Sequence, residues 1–221
     1  MDTVVFTDDR AIAYFTDSVA LVKIDVDVDS LTPEQYHVYG LPTFVLLDAD
    51  GVEIDRTVGF AETGTFLATL TDYTNGIGTL ADLLRRAEAD SSREMAYTIA
   101  EKYKWRGGFD SAAMWYNRII AVSATDSLAA EARTAMGDMY SRGEDWPRAR
   151  EIFAGVTEDF AGTEVGAWGH YYLHRTHLGL NDTVQALESL QTIVDDYPDL
   201  DVAEYAASRI ETITGQAEES H

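Results

Sequence analysis

The sequence predicts an α/β domain followed by an all-α array of about three helix pairs and a capping helix. Three observations carry this. Strand-like and helix-like stretches alternate as far as Thr74, with Gly- and Asp-rich turns between them. From Ser91 onward strand patterns vanish and helical periodicity takes over. In that second part Ala112, Ala149 and Ala186 stand 37 residues apart, as do Tyr116, Phe153 and Leu190, and Ile119, Val156 and Ile193. An interval of that length marks a stacked repeat. The expected divisions are residues 1–75 for the α/β domain, 76–92 for a linker helix, 93–214 for the repeats and 215–221 for a frayed tail.

In chain order, Thr7-Asp8-Asp9 offers capping oxygens ahead of the short helix AIAYF. VALVKIDVDV, residues 19–28, opens as a nearly continuous apolar, β-branched run, the pattern of a strand buried on both faces. Thr32-Pro33-Glu34 opens a second helix, with Thr as cap and Pro at its first position, and Gly40 closes it. TFVLLDA is a strand, DADG a turn with Gly at a positive-φ position, and VEIDRTVG the returning strand of a hairpin. ETGTFLATLTDYT supplies the closing helix, and NGIGTLADLLRRAEADSS the linker. Each later unit reads helix, turn, helix: EMAYTIAEKYKWRGGFDSAAMWYNRII, EARTAMGDMYSRGEDWPRAREIFAGV and AWGHYYLHRTHLGLNDTVQALESLQTIV. VAEYAASRIETIT is an amphipathic final helix.

The segments MDTVVFTDDRAIAYF, VKIDVDVD, VYGLPTFVLLDADGVE and the late VGF fall in the order of a thioredoxin-like fold. The chain resembles the thioredoxin-like domains of bacterial thiol-disulfide reductases. The resemblance implies a cis bond between Leu41 and Pro42, with the backbone of Leu41 pairing with an extended substrate segment. It also implies a first strand and a Cys-x-x-Cys ahead of a Met-Asp-Thr-like segment. Here that segment is Met1-Asp2-Thr3, and the chain contains no cysteine. The expectation is an incomplete thioredoxin-like domain, with Met1 an internal methionine of a longer product.

The second part resembles tetratricopeptide repeats with about three residues added per unit. The matching positions are Ala100 and Gly137, Tyr103 and Tyr140, Gly107 in a turn, Phe109 and Trp146, and the closing Pro198. The third unit departs, with His174 at the small position and His177 at the aromatic one. Register with that family implies a concave groove facing a protein or peptide partner. Its side chains would be Glu94, Tyr97, Glu101, Lys104 and Trp105, then Asp138 and Arg142, then Trp168, Tyr171 and Arg175. A register one residue off turns Trp105 and Trp168 into inter-repeat core.

Composition narrows the function. Apolar residues make up 46 % of the 221, enough for packed cores. Thirty-nine acidic residues against 16 basic give a net charge of −23, which argues against a nucleic-acid partner, because phosphate binding rests on clustered Lys and Arg. No run is long and apolar enough to span a membrane. MDTVVFTDDR shows no secretory signal, and the compartment is left open.

His170, His174 and His177 share a helix face at a spacing that can ligate zinc or copper, but the repeat register turns that face toward the second helix. Asp25, Asp27 and Asp29 lack the Gly and Glu of a calcium loop, with Ser30 and Tyr36 in those places. No phosphate loop or nucleophile elbow is present, and no cofactor is implied. Two functions remain. One is a non-enzymatic binding module, redox-inactive as written. The other is a thiol-disulfide oxidoreductase whose cysteines lie upstream of Met1, and cysteines ahead of Met1 would discriminate the two.

Overall fold

A computed structural model describes residue 1 and residues 4–219 of the chain. Asp2 and Thr3 of the expected N-terminal landmark, and Ser220 and His221 of the expected tail, lie outside the described residues. The described chain is mostly helical, with one small antiparallel sheet. It divides into two compact units, Met1–Gly108 and Phe109–His221. The division falls inside the first expected helix pair rather than in the linker at 76–92.

The first unit holds α1 (Asp9–Asp17), α2 (Leu31–Gln35), β1 (Thr43–Leu47), β2 (Glu53–Val58), α3 (Thr63–Thr74), α4 (Leu80–Arg86) and α5 (Arg93–Lys104). Asp8 caps α1 by accepting from the backbone N–H of Arg10 at 2.9 Å. The expected hairpin is present: β1 and β2 pair with Thr43 opposite Val58, and the register slips between Leu46 and Leu47. Its turn is fixed by Asp48, whose Oδ1 accepts from the N–H groups of Asp50 and Val52, both at 2.9 Å.

Two expectations in this unit are corrected. Residues 19–28 form no strand. Leu21, Val22, Ile24 and Val28 are exposed, Val22 at 76 % and Val28 at 85 %. A strand exists only against a partner, and among the described residues the sheet has two strands, β1 and β2. Asp25 adds a competing local structure: its Oδ1 accepts from Asp27 N–H at 3.0 Å, and its carbonyl accepts from the N–H groups of Val28 and Asp29. The second helix is also shorter than read, and Asp29 rather than Thr32 covers its first N–H groups. Asp29 Oδ1 accepts from Leu31 and Thr32, both at 3.0 Å. The helix stops at Gln35 instead of reaching Gly40, because His37 takes a left-handed φ of 50°.

The apolar core of this unit is small. Val5, Ala11, Phe66 and Leu70 are buried, with Phe6, Phe15 and Phe44 packed against them and the Phe44 and Phe66 rings 4.6 Å apart. A second anchor is ionic. Asp55 is fully buried, and its Oδ1 accepts from Lys102 Nζ at 2.9 Å and lies 3.2 Å from an Arg106 guanidinium nitrogen. Its Oδ2 accepts from the N–H of Leu80 at 2.7 Å, at the start of α4. Arg106 Nε also donates to Glu53 at 2.8 Å, while Arg56 pairs with Glu53 and donates to the carbonyls of Tyr36 and Trp105. These bonds tie β2 to α2, α4 and α5. Gly107 is required where the chain leaves α5: its φ is +73°, and a Cβ there would lie 2.7 Å from the His37 ring.

The second unit holds α6 (Phe109–Val122), α7 (Ser127–Arg142), α8 (Trp146–Asp159), α9 (Glu164–Gly179), α10 (Thr183–Asp196) and α11 (Asp201–Glu219). From α7 to α10, helices of 16 and 14 residues alternate. Their starts are capped by side chains of Asp126, Asp145, Thr163 and Asp182. Each helix packs on its sequence neighbours, and α9 also meets α7 and α11. All nine periodic residues read from the sequence are buried, Ala112, Tyr116 and Ile119 through to Ala186, Leu190 and Ile193.

Small residues let these helices approach. A Cβ on Gly137 would stand 2.5 Å from the Phe153 ring. One period later His174 and Leu190 occupy those two positions, both buried, so a larger residue on one helix accompanies a smaller one on the other. The aromatic residue opening α6 packs on the glycine ending α7, Phe109 on Gly143. Trp146, opening α8, meets Gly179 of α9 in the same way. Where the sequence suggests a tail from Gly215 onward, α11 continues to Glu219. Only Gly215 opposes it there, and a helix-interior glycine costs about 1 kcal/mol.

Candidate functional site

The residues expected to face one groove fall in both units. Tyr97, Glu101, Lys104 and Trp105 belong to the first, and Asp138, Arg142, Trp168, Tyr171 and Arg175 to the second. In the first unit these side chains are largely engaged locally. Lys104 is buried, its Nζ donates to Glu101 at 2.7 Å and sits 4.8 Å from the centre of the Trp105 ring. Trp105 Nε1 donates to Glu101 at 3.3 Å, and its ring lies beside Gly40. Glu94 is exposed and Tyr97 half-buried.

In the second unit Asp138 and Arg142 pair at 2.7 Å one turn apart on α7, and Arg175 is exposed on α9. Trp168 meets Tyr171 edge-on at 5.5 Å and Tyr172 at 6.2 Å. It also meets Tyr205 of α11, with centroids 6.2 Å apart and planes inclined by 39°. Tyr205, 57 % exposed, is the residue that sequence reasoning missed, because α11 was read only as a cap. The signal was present: Trp168 and Tyr205 are separated by the same 37-residue interval as the core residues, so they occupy equivalent positions on α9 and α11, two helices apart. Between them opens a cleft of about 410 Å³, rimmed by Glu164, Asp199 and Asp201.

A second opening of about 540 Å³ lies between α8 and α9, against Arg148, Arg150, Leu173 and His177. Of its two arginines, Arg148 is already committed, 3.4 Å from Asp145 and over the Tyr140 ring at 5.3 Å. His177 is buried, and burial lowers its pKa below the ordinary histidine value, against the opposing pull of Asp182.

The three histidines do not act alike. His174 is buried, with Nδ1 on the carbonyl oxygen of Tyr171, and burial brings its pKa down to about 4. His170 is half-buried beside Tyr197, its pKa also lowered by burial. Among the described residues no group of three His, Cys, Asp or Glu side chains is placed to hold a metal ion.

In the first unit, the Leu41–Pro42 bond is cis. Leu41 is 64 % exposed, and its backbone N–H and carbonyl take part in no hydrogen bond among the described residues. The Pro42 carbonyl is engaged, accepting from Gly59 at 2.8 Å. Beside it, β1 pairs with β2 along one edge and has no partner strand on the other among the described residues.

No protein-family model matches this chain, and no curated protein matches it at a meaningful level of similarity. No helix among the described residues is long and apolar enough to cross a membrane.

Proposed function

We propose that this chain is a protein- or peptide-binding module, redox-inactive as it stands, in which a tetratricopeptide-like array follows an incomplete thioredoxin-like domain. The 37-residue period, the alternating helix lengths and the glycine–aromatic contacts support a stacked array. The observation that carries the reading is the Trp168–Tyr205 pair. Equivalent positions on α9 and α11 present ring surface to a cleft, with Tyr205 left more than half exposed. Aromatic side chains at a cleft are the commonest anchors of protein–protein binding. The test is selection of random peptides displayed on phage against the full chain, then repeated on Tyr205→Ala. The expected result is enriched peptides whose binding weakens in the variant. Enriched peptides indifferent to Tyr205, or no enrichment, would refute the groove.

A second reading has its own support. Leu41 offers unengaged backbone groups beside Pro42, and the strand-patterned stretch at 19–28 exposes Leu21, Val22, Ile24 and Val28. Both fit a thiol-disulfide oxidoreductase whose Cys-x-x-Cys lies upstream of Met1, with Leu41 presenting substrate to the thiols. Insulin reduction by a chain extended upstream in its gene tests this. Reduction that weakens when those cysteines become serine supports it, and an inert extended chain rules it out.

A further inference from the structure

Among the described residues, the rings of Tyr73, Trp105, Trp115 and Tyr140 are each already faced by one of the protein's own cations. Lys102 stands 4.5 Å from the Tyr73 ring centre, Lys104 4.8 Å from Trp105, Arg118 4.0 Å from Trp115 and Arg148 5.3 Å from Tyr140. The Trp168–Tyr205 pair is different. It has the ring surface and the surrounding negative charge, and no Lys or Arg among the described residues stands over either ring. The rim carboxylates of Glu164, Asp199 and Asp201 make no ion pair or hydrogen bond among the described residues. By contrast, Asp138, Asp145 and Asp159 of the same unit each pair with an arginine.

We propose that the α9–α11 cleft receives the cationic side chain of a lysine or arginine from the bound segment. This rests on the groove reading above and names the chemistry of its partner. The carboxylates surround the cleft without converging as metal ligands do. That arrangement suits a charge carried on a carbon stem better than a bare ion. The stem packs on Trp168, Tyr205 and Leu200, and the ammonium or guanidinium reaches the rim. Trp168 packs against Tyr171 and Tyr172, so its ring is held in place before the ligand arrives.

The test measures calorimetric binding of four end-capped tripeptides to the full chain: trilysine, triarginine, trinorleucine and triglutamate. Norleucine keeps the stem of lysine and removes its charge. Trilysine and triarginine are expected to bind, and the other two are not. Tyr205→Ala, an exposed position whose variant should keep the fold, is expected to weaken binding about three- to thirtyfold. Glu164→Gln with Asp199→Asn should weaken it further.

Diffuse attraction to a chain of charge −23 would also hold trilysine, but Tyr205→Ala would leave that attraction unchanged. Cationic binding indifferent to Tyr205 therefore overturns the inference. If trinorleucine or triglutamate binds as well as trilysine and Tyr205→Ala abolishes it, the groove stands and the cationic ligand does not. If no peptide of any charge binds, including those from phage selection, both fall.

Discussion

Replacing Asp55 by asparagine keeps the shape of a buried side chain and removes its charge. In the native chain that carboxylate meets Lys102 Nζ at 2.9 Å and Arg106 at 3.2 Å, and accepts from the N–H groups of Leu80 and Arg56, each at 2.7 Å. The side chains of Lys102 and Arg106 are only 14 % and 15 % exposed, so water cannot replace the lost partner. An uncompensated buried charge of this kind costs about 3–5 kcal/mol. Glu53 still holds Arg106, which places the expected loss toward the lower end, about 3 kcal/mol. A domain of this size has roughly 5–15 kcal/mol in all, so the change removes a large share of the first unit's stability.

Hydrogen exchange read by mass spectrometry on peptides from α4 and α5 is the assay, because Asp55 ties both helices to β2. The amides of Leu80–Arg86 and Arg93–Lys104 should lose protection together, while those of α8 to α10 stay unchanged. The double variant Asp55→Asn with Lys102→Met should recover part of the loss, since it removes the stranded ammonium. If α5 protection drops by less than about 1 kcal/mol in Asp55→Asn, the network is decorative and the reasoning fails.

Other consequences are as specific. The unfolded chain protonates His174 near the ordinary value of 6.5 and the folded chain only near 4, so stability should fall as pH drops through that window. The loss amounts to about 3 kcal/mol and should flatten in His174→Gln, checked by melting temperature against pH. At Glu53 burial pushes the pKa up, and the bonds from Arg56 and Arg106 outweigh it, leaving the pKa below the usual carboxylate value. The stability this contributes is present above the unfolded value and is lost as pH falls through the lowered one. An Arg106→Gln variant should therefore show a shallower acid slope. Gly137→Ala drives a methyl into the Phe153 ring and should cost about 1–3 kcal/mol by urea denaturation, with Phe153→Leu restoring part of it. Amides of residues 20–22 should exchange like unstructured chain, and strong protection there would contradict their exposure.

The helical half was legible because stacking imposes the same demand at each turn of the array. A position that faces the neighbouring pair in one unit faces it in the next, so Ala149, Phe153 and Val156 announce Ala186, Leu190 and Ile193. Tyr205 obeys the same rule, and treating α11 as a terminus rather than as another turn of the array hid it. The hairpin was legible from its Asp-Gly turn. The stretch at 19–28 was misread because its pattern reports what a strand requires, whereas forming one depends on a partner that no local pattern contains. The Asp55 network was invisible for a related reason. Asp55 and Lys102 are 47 residues apart, and a lone Asp in VEIDRTVG looks like the solvent-facing residue of an alternating strand.

The two units therefore hold together by different means. Of the sixteen large apolar side chains that are exposed among the described residues, twelve lie in the first unit, although it is the smaller of the two. Its buried apolar residues are divided between the Val5–Phe66 cluster and positions on β1, α4 and α5, and charge-assisted bonds from Asp55, Glu53 and Arg56 hold the hairpin to α2, α4 and α5. The second unit repeats one apolar contact pattern from α6 to α11 and needs no such hub. Acid should therefore loosen the first unit by neutralising Glu53, while acting on the second through the imidazoles of His170, His174 and His177. The apolar strip at 21–28 and the open edge of β1 belong to the half whose own core is least complete. A partner strand added there would supply both the missing hydrogen bonds and the missing burial, so it should raise the stability of the first unit as well as bind to it.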